Sequence, residues 1–137
     1  MVPFNKFQSF AAALAAKQHN LATDTLKVML TNTAPVVTNA AKGDIAEIAG
    51  GNGYAAGGLP GTVTGASQNA GIFTLKVADV TVVASGGPVG PFQYAVLYNA
   101  TSGLLIGWWA YGSSVTLNSA DSFTVDFDDA NGVLSLQ

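Results

Sequence analysis

The sequence predicts an all-β fold, a sandwich or small barrel of about seven or eight short antiparallel strands with a short N-terminal helix. Beyond residue 20, short runs of β-branched and aromatic residues alternate with clusters of Gly, Pro, Asn and Ser at regular spacing. Only residues 4–19 carry apolar residues at a convincing helical spacing. The chain has 137 residues, the size of one ordinary domain, and its sequence shows no internal repeat. We therefore expect one domain over residues 1–137.

The N-terminal segment, residues 4–19, is the predicted helix. Its apolar residues recur three and four positions apart, which places them in a single stripe, and the segment is rich in Ala, the best helix former. The polar residues that follow its Ala-rich centre favour mature sequence over a signal peptide. Because so short a helix is stable only when its stripe packs against another surface, Phe4, Phe7 and Phe10 are candidate interface residues.

Residues 25–31 alternate apolar and polar side chains and predict a half-buried strand. Residues 36–68 follow as a Gly-rich loop or arm, because residues 50–61 hold too many glycines for a regular element. Only a weak strand near 62–64 is expected there. Loops this long in a compact domain are usually functional or partly disordered. We expect the arm to lie along a neighbouring molecule, with Tyr54 as its candidate contact residue.

Residues 72–136 form the predicted β core. Residues 72–77 and 80–84 are expected to form either one long bent strand or two short ones. Further strands are expected in a central hairpin at 92–98 and 104–111, and at 115–117, 123–127 and 133–136. The last two strands are expected to pair with each other across an Asp- and Asn-Gly-containing turn.

The central hairpin, PFQYAVLYNATSGLLIGWWAYG at residues 91–112, is apolar on both faces. An antiparallel strand with one face in water alternates apolar and polar residues, so this hairpin needs cover on both sides, from its own domain and from a partner. Neighbouring strand residues point to opposite faces. Either one indole of Trp108 and Trp109 emerges, or a second layer covers each face and both are buried. Trp109 and Tyr111 are candidate interface residues.

Charged residues are scarce, at 9% of the chain against about a quarter in typical domains. The chain has five Lys, no Arg, eight acidic residues and a net charge of −3. A surface so poor in charge suits a protein that is packed against neighbours, although a compact secreted β domain also fits. With no basic cluster, nucleic acid is not an expected partner. No run approaches the roughly 20 apolar residues of a membrane helix, so a membrane is not expected either.

No motif for catalysis or for metal or cofactor binding is present, and we expect no enzyme activity, no cofactor and no metal. The chain has no Cys, and its one histidine is His19, so a multi-histidine metal site within one chain is excluded. The acidic stretch 126–132 fails the spacing of an EF-hand loop, because Gly132 falls seventh rather than sixth. We interpret it as a turn, with a weak adventitious cation site as the alternative. The Gly-rich stretch 50–61 lacks the Lys-Ser/Thr of a P-loop.

Five stretches of the chain resemble the capsid cement, or decoration, proteins of tailed bacteriophages. They span most of the chain, and they are hydrophobic and turn patterns rather than catalytic fingerprints. The stretches are TLKVMLTN at 25–32, GDIAEIAGGNGYAAGG at 43–58, ADVTVVASGGPVGPFQYAVLYN at 78–99, LLIGWWAYGSSVTL at 104–117 and SFTVDFDDANGVLSL at 122–136.

The resemblance implies a jellyroll-like β-sandwich, homodimers on the capsid exterior, and contacts with the major capsid protein that stabilise the shell. It supplies no active site, so the interface residues named above rest on their chemistry alone. Two other functions stay open. One is a carbohydrate-binding β-sandwich in which Trp108 or Trp109 stacks on sugars together with Tyr111, and the other is a tail or neck component of the particle.

Overall fold

Strands dominate the structure, a computed structural model that describes residues 2–137. They hold 47% of the residues. In chain order the elements within this range are β1 (Asn5–Lys6), α1 (Ser9–Ala15), β2 (Leu26–Thr31), a 3₁₀ turn (Lys42–Asp44), β3 (Leu59–Gly61), β4 (Val63–Asn69), β5 (Ile72–Val77), β6 (Val80–Val83), β7 (Val89–Asn99), β8 (Leu104–Leu117), β9 (Ser122–Val125) and β10 (Leu134–Leu136). The prediction of an all-β sandwich with a short N-terminal helix is confirmed.

The strands form three antiparallel sheets. Five strands lie in the order β1-β8-β7-β2-β3, three in the order β10-β5-β4, and two form the pair β6-β9. The predicted hairpin, β7 with β8, is the centre of the largest sheet, and β2 pairs along β7 from Leu26 opposite Asn99 to Thr31 opposite Tyr94. A regular jellyroll has eight strands in two sheets. Here the chain passes from the first sheet to the second between β3 and β4, which are separated by the single residue Thr62.

The main core lies between the five-stranded sheet and the two smaller sheets, since all three contribute side chains to it. Alternate residues of β2 and β7 face it, as the period of a strand requires. Its most deeply buried members include Phe10, Leu26, Val28, Leu30, Leu75, Val82, Phe92, Leu97 and Ile106. Removal of this apolar surface from water is the main favourable contribution to folding.

The other face of the five-stranded sheet carries a second, smaller core. Its buried members are Phe7, Met29, Val96, Tyr98 and Leu105. They alternate with main-core residues along the strands, and Ile45, Ala100 and Trp108 pack at their margin. The hairpin is therefore covered on both faces largely by its own chain. The N-terminal segment and the segment after β2 supply the second layer, where the sequence led us to expect a partner as well.

The helix is shorter than predicted. It spans Ser9–Ala15, whereas the apolar spacing predicted residues 4–19. Before it, β1 pairs with β8 and so takes backbone hydrogen bonds that a helix would have made internally. After it, Lys17 adopts a left-handed φ of 64°, and the Gln18 N–H donates to the Ala13 carbonyl at 2.9 Å, which is a Schellman closure.

The segment 36–68 is not a free arm in this structure. Its last residues form β3 and most of β4. Its earlier part is tied to the start of β8, because the Lys42 N–H donates to the Gly103 carbonyl and the Leu105 N–H donates to the Ala40 carbonyl, both at 2.9 Å. The interpretation as an arm extended along a neighbour is therefore corrected, since the segment packs on its own sheet.

The C-terminal strand also pairs differently from the prediction. β10 pairs with β5, with Leu134 opposite Leu75, and β9 pairs with β6; β9 and β10 were expected to pair with each other. In the connection, the Gly132 N–H donates to the Asp128 carbonyl at 2.8 Å and the Val133 N–H donates to the Leu75 carbonyl at 2.7 Å. The turn thus delivers the chain to the open edge of β5 instead of returning it along β9.

Candidate functional site

Four of the six candidate interface residues lie inside the single chain. The exposed fraction is 0% for Phe7, 1% for Phe10, 2% for Tyr54 and 6% for Trp109. Their assignment to a surface is therefore corrected. The apolar pattern singled out these aromatic residues, and they are buried in the two cores. Apolar spacing identifies what is buried, but it does not say whether the covering surface belongs to the same chain.

Phe4, the fifth candidate, is half-buried and closes one end of the main core. Its ring centroid lies 5.3 Å from that of Trp109, which in turn lies 5.2 Å from that of Phe127. Gly107 makes room for it, since a Cβ atom at that position would lie 2.1 Å from Phe4 Cε2. Phe4, Trp109 and Phe127 also line a groove of about 280 Å³. Phe4 thus serves the packing of β1 on β8, and only its outer edge is available to a partner.

Tyr111, the sixth candidate, is half-buried on the main-core side of β8. Its ring stands edge-on to Phe123 at 5.0 Å, and Phe123 stands edge-on to Phe92 at the same distance. Burial, with a smaller contribution from the nearby Asp126 carboxylate, raises the pKa of Tyr111 to about 12. The phenol therefore stays protonated at neutral pH and packs as part of an aromatic cluster.

Trp108 is the indole that emerges. It lies on the opposite face of β8 from Trp109. Its ring centroid lies 4.5 Å from that of Phe7, which covers only part of the indole, so Trp108 remains partly exposed. The sequence left two possibilities open, that one of the two tryptophans emerges or that both are buried, and the candidate interface residue was Trp109. The structure buries Trp109 and leaves Trp108 partly exposed. Because Trp108 and Tyr111 lie on opposite faces of β8, they do not form one platform on which a sugar ring would stack.

The Gly-rich loop is held down by Glu47. Its carboxylate accepts hydrogen bonds from the Gly57 N–H and from the Tyr54 hydroxyl, the latter at 3.3 Å. The same hydroxyl accepts the Leu30 N–H of β2 at 3.0 Å, and the Tyr98 hydroxyl donates to the Gly57 carbonyl. Burial raises the pKa of Tyr54 well above its usual range. The loop is thus held to the sheet by hydrogen bonds made by Glu47, Tyr54 and Tyr98. The sequence patterns did not predict these hydrogen bonds.

A second polar cluster joins the end of the N-terminal segment to the β7–β8 turn. The Asn99 side-chain amide lies 3.1 Å from His19 Nδ1 and donates to the Asp24 carboxylate at 2.6 Å. Asp24 also accepts the Asn20 N–H at 2.7 Å, and these hydrogen bonds lower its pKa. Beside the cluster is an open groove of about 590 Å³ with an apolar floor that includes Leu21. This arrangement anchors three chain segments to one another.

The acidic stretch before β10 forms a local turn. The Asp128 carboxylate accepts hydrogen bonds from the N–H groups of Ala130 and Asn131 and from the Asn131 side chain, at 2.8 to 2.9 Å. These bonds, with the Asn131 N–H first, lower the pKa of Asp128. Within residues 2–137, no three His, Asp or Glu side chains come together as metal ligands would. The Asp128 carboxylate therefore stabilises the turn through hydrogen bonds to its own segment.

None of the large apolar side chains that are well exposed was a candidate interface residue. They are Val36, Val37, Ile72 and Val83, with exposed fractions of 55%, 40%, 40% and 51%. Val37 lies on the same side of the large sheet as Trp108, because its carbonyl accepts the N–H of Gln8, next to Phe7. The only sequence signal was an apolar pair after Pro35 in an otherwise polar stretch. We call Val36, Val37 and Trp108 the outer patch.

In the part of the chain that the structure describes, no helix has the length and apolar character needed to cross a bilayer. Comparison of the chain with protein-family models, with curated proteins and with solved structures finds no match.

Proposed function

We propose that the protein is a structural component of a tailed-bacteriophage particle. In this proposal it binds the capsid exterior as a homodimer and clamps neighbouring subunits of the major capsid protein. Stabilisation of a shell in this way requires a rigid body and contact surfaces, with no cofactor and no catalytic residue. Each contact can be weak, because many copies act together on one particle.

The observation that supports this proposal most directly is the nature of the surface. Only 9% of the residues are charged, and large apolar side chains such as Val36 and Val83 are more than half exposed. Monomeric proteins keep such surface small, whereas interaction surfaces tolerate it because partners cover it. The sandwich beneath is well fastened, since Glu47 and Asn99 tie its long connections to the sheets.

The outer patch is the surface that we assign to the capsid. Val36 and Val37 are its exposed apolar part, and Trp108 is a partly exposed aromatic residue on the same side of the sheet. Partly exposed tryptophans are frequent among the residues that contribute most to binding free energy. No Lys, Arg, Asp or Glu belongs to this patch, so its contribution to binding is expected to change little with salt.

The test is binding to particles. Val36→Asp should reduce the amount of protein that co-sediments with capsids stripped of it, by about tenfold or more, because charge would be buried at the contact. Val83→Asp is the matched control, since Val83 is equally apolar and exposed but lies on β6. Purified particles that lack this chain altogether, or equal binding by both variants and the unmodified protein, would refute the proposal.

A tail or neck position is the same proposal at another place in the particle. The charge-poor surface and the outer patch fit it equally, because both positions require contact with neighbouring subunits. Electron cryo-microscopy of particles that carry a labelled copy of this chain distinguishes the two. Label on the shell supports the capsid position, and label confined to the tail or neck contradicts it.

A further inference from the structure

β4 is an edge strand whose residues 65–69 pair regularly with β5. It ends the three-stranded sheet β10-β5-β4, and Ser67, Gln68 and Asn69 are exposed. Its sequence is VTGASQN, without a charged residue and without proline. Natural edge strands usually carry Lys, Pro or a covering element, because unpaired N–H and C=O groups pair readily with another strand. A β-bulge between Val63 and Gly65 interrupts the start of β4. Residues 66–69 beyond the bulge, which include neither Lys nor Pro, are therefore a candidate pairing site.

The hairpin geometry identifies which backbone groups are free. β4 and β5 are joined by the two-residue turn Ala70-Gly71, both with positive φ, and Asn69 lies opposite Ile72. In such a hairpin the flanking residues exchange both hydrogen bonds, and bonding pairs recur at every second residue. Asn69 and Ser67 therefore bond to β5. The N–H and C=O groups of Ala66 and Gln68 point away from the sheet.

These free groups are arranged symmetrically about Ser67. A second copy of β4, antiparallel to the first, would place its Gln68 opposite Ala66 and its Ala66 opposite Gln68. Each pair exchanges two N–H···O=C bonds, which gives four in all. Ser67 would face the Ser67 of the other copy at the two-fold axis. No like charges meet, because β4 carries none. The strand is thus complementary to itself, as a two-fold contact requires.

We propose that two copies of this protein pair through β4, with Ser67 at the two-fold axis. The three-stranded sheets of the two copies then form one continuous six-stranded sheet, β10-β5-β4 followed by the same strands in reverse. This inference rests on the self-association in the proposed function, and it names the strand that carries it. The pairing edge is a different surface from the outer patch, so a paired molecule keeps both patches available.

A single cysteine tests the pairing, because the chain has none of its own. Residues at a non-hydrogen-bonded antiparallel pair have Cα atoms about 4.5 Å apart, which a disulfide can bridge. Ser67→Cys should therefore form a covalent dimer on mild oxidation at micromolar concentration. Ser135→Cys is the control. Ser135 lies in the same row, across Thr74 from Ser67, but on the opposite edge of the sheet, and both serines are exposed.

We expect Ser67→Cys to crosslink at least tenfold faster than Ser135→Cys. Charge substitutions give an independent test. Ser67→Lys should weaken dimerisation about fivefold by placing like charges opposite each other, and a mixture of Ser67→Lys with Ser67→Asp should restore it. Ser67→Ala should leave it unchanged. Sedimentation velocity measures the dimer, and circular dichroism confirms that each variant is folded.

The outcomes separate the two proposals. A protein that dimerises but crosslinks no faster at residue 67 than at residue 135 contradicts the β4 pairing and leaves self-association standing. A protein that stays monomeric at millimolar concentration, with no crosslink at residue 67, contradicts both. Capsid binding is measured separately through the outer patch, so loss of that binding alone overturns the capsid role without touching the pairing.

Discussion

Asn99 fixes the protonation of His19. Its amide nitrogen lies 3.1 Å from His19 Nδ1, and its amide oxygen accepts the backbone N–H groups of Thr101 and Ser102 at 2.9 and 3.1 Å. Because the oxygen is committed to those two donors, the nitrogen must face the ring, and Nδ1 must act as the acceptor. The imidazole is therefore neutral with its proton on Nε2, an atom that is buried without a hydrogen-bond partner among residues 2–137.

Stability should fall when the solution is made mildly acidic. Burial lowers the pKa of His19 below 6.5 in the folded state, and the Asp24 carboxylate opposes this shift only in part. Between that folded pKa and about 6.5, the unfolded chain binds more protons than the folded one, so stability rises with pH and levels off above about 6.5. Protonation would also place an N–H on Nδ1, facing the donor of Asn99. Thermal melting temperatures between pH 5 and 8 measure the effect.

The matched variant for this prediction is His19→Gln. It removes the titrating group and keeps a polar side chain, so the fall in melting temperature between pH 6.5 and 5 should shrink even if the variant is less stable throughout. Asp24, whose pKa is lowered by its hydrogen bonds, contributes a separate loss below about pH 3.8 that His19→Gln leaves in place. Identical pH profiles for the two proteins between pH 5 and 6.5 would rule out His19 as the cause.

The two adjacent tryptophans should differ in their contribution to stability. Trp109 is 6% exposed in the main core, so Trp109→Ala should lower the free energy of unfolding by about 3 to 5 kcal/mol. Trp108→Ala should lower it by about 1 to 2 kcal/mol, because part of that ring already faces water. Urea titrations followed by circular dichroism give both values. Equal losses, or a larger loss at Trp108, would show that the faces of β8 have been assigned the wrong way round.

Glu47 should determine how firmly the Gly-rich loop is held. Glu47→Ala leaves the Gly57 N–H and the Tyr54 hydroxyl without their acceptor, which should lower the free energy of unfolding by about 1 to 3 kcal/mol. Chymotrypsin should then cleave after Tyr54 several times faster than in the unmodified protein. Glu47→Gln is the control. Because it retains a carbonyl acceptor, its stability and its cleavage rate should lie between those of the unmodified protein and of Glu47→Ala. Rapid cleavage at Tyr54 in the unmodified protein would contradict the role assigned to Glu47 in holding the loop.

The strands were predictable from sequence because their signal is local. The run IFTLKV at residues 72–77 predicted a strand that the structure shows as β5 with the same bounds. The two apolar runs on either side of residues 99–103 predicted the β7–β8 hairpin. Pairing between distant strands carries no such signal. Nothing in the pattern of residues 133–136 distinguishes β5 from β9 as a partner, and the choice is made by the direction in which the turn after Asp128 releases the chain.

The surface was predicted less well than the core, and for a related reason. Phe7 and Tyr54 have the chemistry of contact residues, but the chain folds its own segments over them. Hydrophobicity predicts that a side chain will be covered, whereas the identity of the cover depends on long-range packing. The helix boundary failed similarly, because the free edge of β8 offered residues 5 and 6 tertiary hydrogen bonds that outweigh local helix propensity.

Gly58 should be irreplaceable, whereas Gly43 should not. Gly58 has a φ of +104°, and a Cβ atom there would lie 2.5 Å from the Val28 carbonyl oxygen of β2. Gly58→Ala therefore combines a strained backbone with a clash against a buried strand, and should lower the free energy of unfolding by about 3 kcal/mol or more.

At Gly43 a Cβ atom would meet nothing within 4 Å, and its φ lies outside the left-handed range. Gly43→Ala should change stability by no more than about 0.5 kcal/mol. Urea denaturation of the two single variants decides the matter, and a Gly58→Ala protein as stable as Gly43→Ala would mean that the loop does not approach β2 as closely as the structure places it.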